Sequence, residues 1–407
     1  MAILVLNCGS SSVKFALYES ERLHRICGGI AERVGLEGGS LRWTENGKES
    51  VRSLEAATHR VAIEAVLDVT AGSQVSRRIE AVGHRVVHGG DRYSRSGRID
   101  GQMLAHLERC VELAPLHNPP NLAGIRAAME LLPDAVQVAV FDTAFHQSMP
   151  REAFVYPLPR EWYEKHSVRR YGFHGTSHLY VSRRTAALMG RPLRKLKMVT
   201  LHIGNGASAT AVQGGRSVDT SMGFTPLEGL VMGTRCGWID PAIPVWMARK
   251  LGAQPEEIDR ILNRRSGLYG LTDGLSDRRD VERRAAEGDE WCRLAIEVEC
   301  RAIRKVVGAY AAVMGGLDAV VFTAGVGENS PLVRRRSMEG LEFLGVELDR
   351  KRNEQMRGRE GRISAERSKV DVWVVPTDEE RVIAEDTRAI MTGEFECDDF
   401  RYTFEEA

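Results

Sequence analysis

A glycine turn between two apolar runs, an arginine and an aspartate at strand ends, and a histidine ahead of a helix are the groups of this sequence spaced for chemistry. Lys197 to Val212, KMVTLHIGNGASATAV, reads as two strands joined by Gly204-Asn205-Gly206. Glycine there lets the backbone approach a bulky anion and turn amide N–H groups towards it, which suits a phosphate. Asn-Gly is equally the commonest two-residue hairpin turn, so an ordinary hairpin is the alternative. Arg85 lies at the end of the apolar run in AVGHRVVHGG, Ala81 to Gly90. A guanidinium beside a glycine turn binds two oxygens of one anion, or closes a structural salt bridge. Asp142 follows the run Ala135 to Phe141 directly. A carboxylate at the carboxyl end of a buried strand serves catalysis or a metal, or caps the next turn. His174, in YGFHGTSH, precedes a helix expected to be capped by Thr176 or Ser177 and stopped by Gly190. Backbone N–H groups there favour negative charge, against the alternative of a loop histidine without a role.

The elements that must hold these groups repeat. Ile3 to Tyr18, ILVLNCGSSSVKFALY, is again a strand, a tight turn over Cys8 to Ser12, and an alternating strand with Val13, Phe15 and Leu17 on one face. With Gly9 placed on Gly204 the two hairpins run in step, which suggests two related domains presenting glycine turns to a shared cleft. Val320 to Ser330 is a third strand entering a glycine turn, with Ser330-Pro331 suited to start a helix. Three such turns point to a nucleotide cleft. Leu54 to Val69, Met103 to Leu113 and Leu294 to Met314 carry helical spacing, and Gly28 to Lys48 reads as short strands and turns. The prolines of Ala114 to Asn121 are expected to hold Leu116 and His117 on an extended loop. Thr225 to Pro241 has too many glycines for a helix and is expected to line something, with Arg235 its one basic group. Val370 to Val375 reads as a strand, and in the following PTDEE, Thr377 and Glu380 form a capping box.

At 407 residues two domains are the natural division. Lys plus Arg and Asp plus Glu are both 56, so no basic excess argues for nucleic acid or an anionic membrane. No apolar run nears the roughly 20 residues that cross a bilayer, and the N-terminal ILVL is too short for a signal peptide. Seven scattered cysteines (8, 27, 110, 236, 292, 300 and 397) without a C-x-x-C pair fit a reducing cytoplasm. The histidines 84, 88, 117, 146, 174, 178 and 202 raise a zinc hydrolase as a rival, but neither H-E-x-x-H nor a cysteine cluster is present.

In order along the chain, LNCGSSSVKF, GHRVVHGG, ELAPLHNPPN, FDTAFHQSMP, YGFHGTSH, HIGNGAS, SMGFTPLEGL, MGTRCGWIDP, FTAGVGENS and PTDEE resemble the acetate kinases. The resemblance covers nearly the whole chain. It implies an α/β fold of duplicated ribonuclease-H-like domains, the actin-like ATPase architecture of acetate and sugar kinases, around a central nucleotide cleft. The expected domains are 1–146, joined by a C-terminal helix at about 381–407, and 147–380. The acidic tail from Glu394 on is expected to be mobile. A cytoplasmic homodimer is implied, with reversible in-line transfer of the ATP γ-phosphoryl group to acetate, giving acetyl phosphate and ADP, dependent on Mg²⁺ (or Mn²⁺).

Position by position, the resemblance makes Arg85 and Arg235 the clamps on the acyl carboxylate and the transferring phosphoryl. It makes His174 a donor to the phosphoryl oxygens, and Asp142 an orienting acid for the acyl substrate or the metal's waters. Asn205 and Gly206 would hold phosphates, with His202 and Lys14 also at the nucleotide and Ser10 and Ser12 supporting the first loop. Asp277, Arg278, Arg279, Gly325, Val326 and Asn329 would face the adenosine, Asn7 and Glu379 would hold the metal, and Val87, Leu116 and Pro226 would form a small acyl pocket. Arg278 stands where a relative has an aromatic, which opens the donor preference to GTP or another phosphoryl donor, although a guanidinium also stacks on a base. Asp378 replaces a common Asn. A non-catalytic nucleotide switch on the same fold is the other rival, and the intact Arg85, Arg235 and His174 argue against it.

Overall fold

The computed structural model describes residues 1–55, 58–71, 78–395 and 400–406. The chain divides into two units, Met1–Phe145 with Asp378–Glu406, and His146–Thr377. Among the described residues no helix is long and apolar enough to cross a membrane.

The first unit is built on β1 (Ala2–Cys8), β2 (Ser12–Glu19), β3 (Arg25–Glu32), β4 (Gly39–Glu45), β5 (Lys48–Leu54), β6 (Ile79–Val86), β7 (Gly97–Arg98) and β8 (Val136–Phe141), in the order β5-β4-β3-β2-β1-β6-β8-β7. β1 runs antiparallel to β2 and parallel to β6, and β6 runs parallel to β8. The apolar run of β1 is buried on both faces because successive side chains point opposite ways. Leu4 and Leu6 join Val13, Phe15 and Leu17 against Ala62, Ile63 and Val66 of the helix His59–Ala71. Ile3 and Val5 join Ala16 and Tyr18 against Ile383 and Ala384 of the helix Glu379–Thr392.

Four local expectations are corrected here. The helix expected from Leu54 begins at His59, because Asn46 and Gly47, both at positive φ, make the two-residue turn that pairs Lys48–Leu54 with β4; residues 56–57 lie outside those described. The helix expected over Met103 to Leu113 spans Gly101–Arg109, with Asp100 as its cap. Pro119 and Pro120 do not extend a loop but start the helix Asn118–Leu131, where a missing N–H costs nothing. The last helix is capped by Asp378, which accepts from Arg381 N at 3.0 Å, rather than by a Thr377–Glu380 box.

The tail is not loose where it is described. Tyr402 donates to Asp386 Oδ1 at 2.8 Å and Phe404 is buried, since two aromatics at alternate positions outweigh the acidic composition. Residues 396–399 and 407, Cys397 among them, lie outside the described residues.

The second unit repeats the pattern with β9 (Lys197–Ile203), β10 (Ala207–Gln213), β11 (Arg216–Thr220), β12 (Ala319–Thr323), β13 (Gly361–Arg362) and β14 (Asp371–Val374), in the order β11-β10-β9-β12-β14-β13. Again the second strand of the hairpin is antiparallel to the first, and the two strands beyond it are parallel. The hairpins are one residue out of step: Cys8 pairs with Val13 across residues 9–12, whereas Ile203 pairs with Ala207 across residues 204–206.

The helix Glu290–Met314 starts ahead of its expected Leu294 because Asp289 caps it, and Ala295, Ile296, Ile303 and Val307 form its buried stripe. The stretch after β12 is a short helix, Ala324–Asn329, rather than an open glycine turn, with Ala324 at φ +62°. Ser330 then caps Pro331–Met338, accepting from Val333 N at 3.2 Å.

Candidate active site

In the first unit the expected residues gather where β1, β6 and β8 end. Asn7 and Lys14 are cross-strand partners on β1 and β2. Arg85 lies one residue before the end of β6, and its guanidinium forms a fork with Asp142 just beyond β8: Nε donates to Oδ1 at 2.9 Å and Nη2 to Oδ2 at 2.7 Å. Glu379 Oε2 stands 3.7 Å from the same Nη2. Burial by itself lowers the basicity of Arg85, but Asp142 and then Glu379 outweigh it and hold the guanidinium above its ordinary value. Burial pushes the Asp142 carboxyl up, against the pull of Arg85. Asp142, expected to orient substrate or water, has both oxygens on Arg85. Nη1 of Arg85 has no partner among the described residues, which leaves one edge of the guanidinium for an incoming carboxylate.

The loop after β6 is tied to the helix Asn118–Leu131 by two asparagines that sequence reading passed over. Asn121 accepts from Val87 N at 3.0 Å and donates to Cys8 O at 2.7 Å, while Asn118 accepts from His88 N at 3.2 Å and donates to His88 O at 3.1 Å. One helix start thus sets the ends of β1 and β6 together, with Val87 in place and Leu116 half exposed in the preceding turn. The signal was two asparagines flanking Pro-Pro, legible once those prolines are read as a helix start.

No group of three or more His, Cys, Asp or Glu able to hold a metal ion occurs among the described residues. Magnesium does not ask for one: it takes one or two protein oxygens and keeps its waters. Asn7 and Glu379 supply oxygen donors of that kind, so the residues present fit such an ion.

In the second unit His174 is itself the cap of the helix Gly175–Leu188, in a left-handed conformation at φ 58°, so Thr176 and Ser177 fall inside the first turn. A non-glycine residue held there costs about 1 kcal/mol or more, which marks a position constrained by more than the helix. Its ring stacks on His202 at 4.1 Å, and His202 Nδ1 is 2.8 Å from Ser177 Oγ. His202, expected at the nucleotide, thus stands directly behind His174. Gly206 closes the β9–β10 turn beside both His174 and Arg235: a Cβ there would lie 3.5 Å from His174 Cε1 and 3.6 Å from Arg235 Nη1. Asn205 fits because residue 233 is glycine, where a Cβ would lie 2.0 Å from its Oδ1.

Arg235 carries the most information. Its Nη1 donates to Pro226 O at 2.9 Å, and among the described residues no carboxylate pairs with it. Burial lowers its pKa, with nothing to offset the cost of its charge. A half-buried guanidinium without a counter-ion is a site prepared for an anion.

Asn205, Asp277, Arg278, Arg279, Gly325, Val326 and Asn329 line one cavity of about 860 Å³. Asp277 caps the helix Arg278–Ala286, and Arg279 folds back on it, donating from Nη2 to Oδ2 at 2.6 Å. Those bonds hold the Asp277 carboxyl down at about 2. Arg278 is buried in the wall against Glu299, and burial lowers its pKa to about 10. Glu299 and Arg357 also line the cavity and were not singled out from sequence. Glu299 had a signal, a carboxylate on the apolar stripe of an amphipathic helix; Arg357 had none.

A model of the acetokinase family matches residues 2–385. The chain belongs to that family. It is 53% identical over 398 residues to the acetate kinase of Thermotoga maritima, covering 96% of this chain and 99% of that one. The crystal structure of Porphyromonas gingivalis acetate kinase superposes with a TM-score of 0.91 at 46% identity, covering 96% of this chain and 99% of that one. A propionate kinase from Francisella tularensis gives the same TM-score at 41% identity, over 96% of this chain and 99% of its own. This acetokinase therefore has their fold, the actin-like ATPase type with a ribonuclease-H-like sheet in each unit.

Proposed function

We propose that this acetokinase carries out the acetate kinase reaction, moving the γ-phosphoryl group of ATP to acetate, by direct in-line transfer with Mg²⁺ (or Mn²⁺) bound. The observation that carries the reading is Arg235, a half-buried cation without an acidic partner among the described residues, whose guanidinium and the His174 ring both stand beside the turn at Gly206. Phosphoryl transfer asks for positioning and for cations around a group that spreads charge over its oxygens. Arg235 and the His174 ring supply them, and Asn205 and Gly206 hold the phosphates. Arg85, aligned by Asp142, takes the acyl carboxylate with its remaining edge. The metal ion, when bound, neutralises charge on the phosphates, and Asn7 and Glu379 would hold it.

Val87, Leu116 and Pro226 are read as the acyl wall. One methylene in such a pocket is worth about 1–3 kcal/mol. Trapping the acyl phosphate as hydroxamate, with ATP and Mg²⁺, is expected to rank acetate above propionate by about tenfold in kcat/KM, with butyrate lower again. Equal rates for all three would remove these residues from specificity. Product with GTP and none with ATP would overturn the donor reading.

A homodimer in the cytoplasm completes the reading. The helix Ala242–Leu251 buries none of its residues, and Ile243, Val245, Trp246 and Leu251 are 47–58% exposed. Apolar area on that scale is ordinarily covered, and a second copy of this chain is the partner we assign. Trp246→Glu is expected to turn a dimer into a monomer in analytical ultracentrifugation; a variant that sediments as a dimer would place the interface elsewhere. The described cysteines, Cys8, Cys27, Cys110, Cys236, Cys292 and Cys300, are free thiols, which suits a reducing compartment.

A further inference from the structure

A neutral imidazole has one nitrogen that donates and one that accepts, so His174 serves a phosphoryl group in opposite ways depending on where its proton sits. Its Nδ1 lies 2.8 Å from Ser208 Oγ. The same hydroxyl lies 2.8 Å from His178 Nε2, and His178 Nδ1 lies 2.7 Å from Thr200 Oγ1. The four residues form one file because His174 and His178 are a turn apart on a helix start, while Thr200 and Ser208 stand on the paired strands β9 and β10. His178 is fully buried, and burial, reinforced by His146 and His202, keeps it neutral with a single N–H.

Ser208 has one hydrogen and cannot donate to both rings, so the file has two possible orders. Thr200 decides between them. Its hydroxyl hydrogen can go to His178 Nδ1 at 2.7 Å or to Thr210 O at 3.5 Å, and the second distance is too long for a useful bond. Taking the short bond makes His178 Nδ1 the acceptor, so its proton is on Nε2 and donates to Ser208. Ser208 then donates to His174 Nδ1. The proton of a neutral His174 is left on Nε2.

We propose that Ser208 and His178 are positioning residues that hold His174 as its Nε2–H tautomer, so that the ring meets phosphoryl oxygens as a hydrogen-bond donor. The opposite order would turn a lone pair on Nε2 towards an anionic group. This rests on the reading that His174 bonds the transferred phosphoryl.

The test begins with the unmodified full-length protein labelled with ¹⁵N-histidine, its ring nitrogens read by long-range ¹H–¹⁵N correlation and assigned through His174→Gln and His178→Gln. Both rings are expected to show a protonated Nε2 and an unprotonated Nδ1. A proton on Nδ1 of either neutral ring overturns the order whatever the activity. Ser208→Ala is then expected to lower kcat about tenfold with KM for ATP changed less than about twofold, and Ser208→Thr, which keeps the hydroxyl, to recover most of it. The expected tautomers together with an unchanged kcat in Ser208→Ala would uphold the proton order and overturn the positioning role of Ser208.

Discussion

Arg235→Ala is expected to lose at least a hundredfold in the rate of acyl hydroxamate formation, on the order of 10³, while folding as stably as the parent. Arginines that stabilise a transferring phosphoryl group are worth on the order of 10³ to 10⁵ in rate. The unusual half of the expectation is stability. Removing a buried arginine normally strands a carboxylate, but Arg235 has no acidic partner among the described residues and donates to a single carbonyl, that of Pro226. Burial already works against its charge, so truncation removes that cost along with the hydrogen bond. Thermal melts are therefore expected to agree within a few degrees. Arg235→Lys keeps a point charge without the planar fork and should recover only part of the rate. A variant within tenfold of the parent rate would mean that Arg235 is not the clamp. A variant that lost rate and fold together would make its role structural.

Arg85→Ala is expected to lose comparable activity for a different reason and, unlike Arg235→Ala, to lose stability as well. The Asp142 side chain is 3% exposed and both its oxygens rest on Arg85. Taking one partner from a buried pair costs about 3 kcal/mol or more, because the other charge is left without solvent or counter-ion. The pH dependence then has a definite sign. Burial raises the folded-state pKa of Asp142, and without Arg85 nothing opposes it. A carboxyl raised in the folded state contributes stability below its unfolded value and loses it as pH rises through the folded one. The deficit of Arg85→Ala is thus expected to be largest at neutral pH and to shrink as the medium is acidified towards the ordinary carboxylate range. Arg85→Ala with Asp142→Asn should regain much of the stability and none of the rate. Denaturant melts across pH, run beside the hydroxamate assay, separate the two effects. Rate restored by Asp142→Asn would assign Arg85 a structural role only.

Most of the scaffold was legible because its signals are local. The strands from Ile3 and from Lys197, the apolar run before Asp142, the long amphipathic helix ending at Met314 and the Ser330 cap are each written in residues within a few positions of one another. Where the structure departs from local expectation, a neighbouring signal prevails: Asn46-Gly47 turns part of an expected helix into a strand, and Pro-Pro opens a helix instead of extending a loop. The doubled hairpin was likewise open to sequence reading, because both copies carry the same alternation.

By itself, then, the sequence determined which elements form and which residue types stand at their ends, since dihedral preference, hydrophobic period and capping act over single turns. Tertiary structure alone decided partnership. Arg85 meets Asp142 from 57 positions away, Glu379 reaches the same guanidinium from the far end of the chain, and Glu299 stands against Arg278 in a cavity wall. Among the described residues Arg235 is left without any such partner. Identical arginines come to stand in a buried ion pair, in a cavity wall, and beside a single backbone carbonyl. Charge, burial and hydrogen bonding are properties of what folding brings within a few ångströms, and no short-range pattern encodes that.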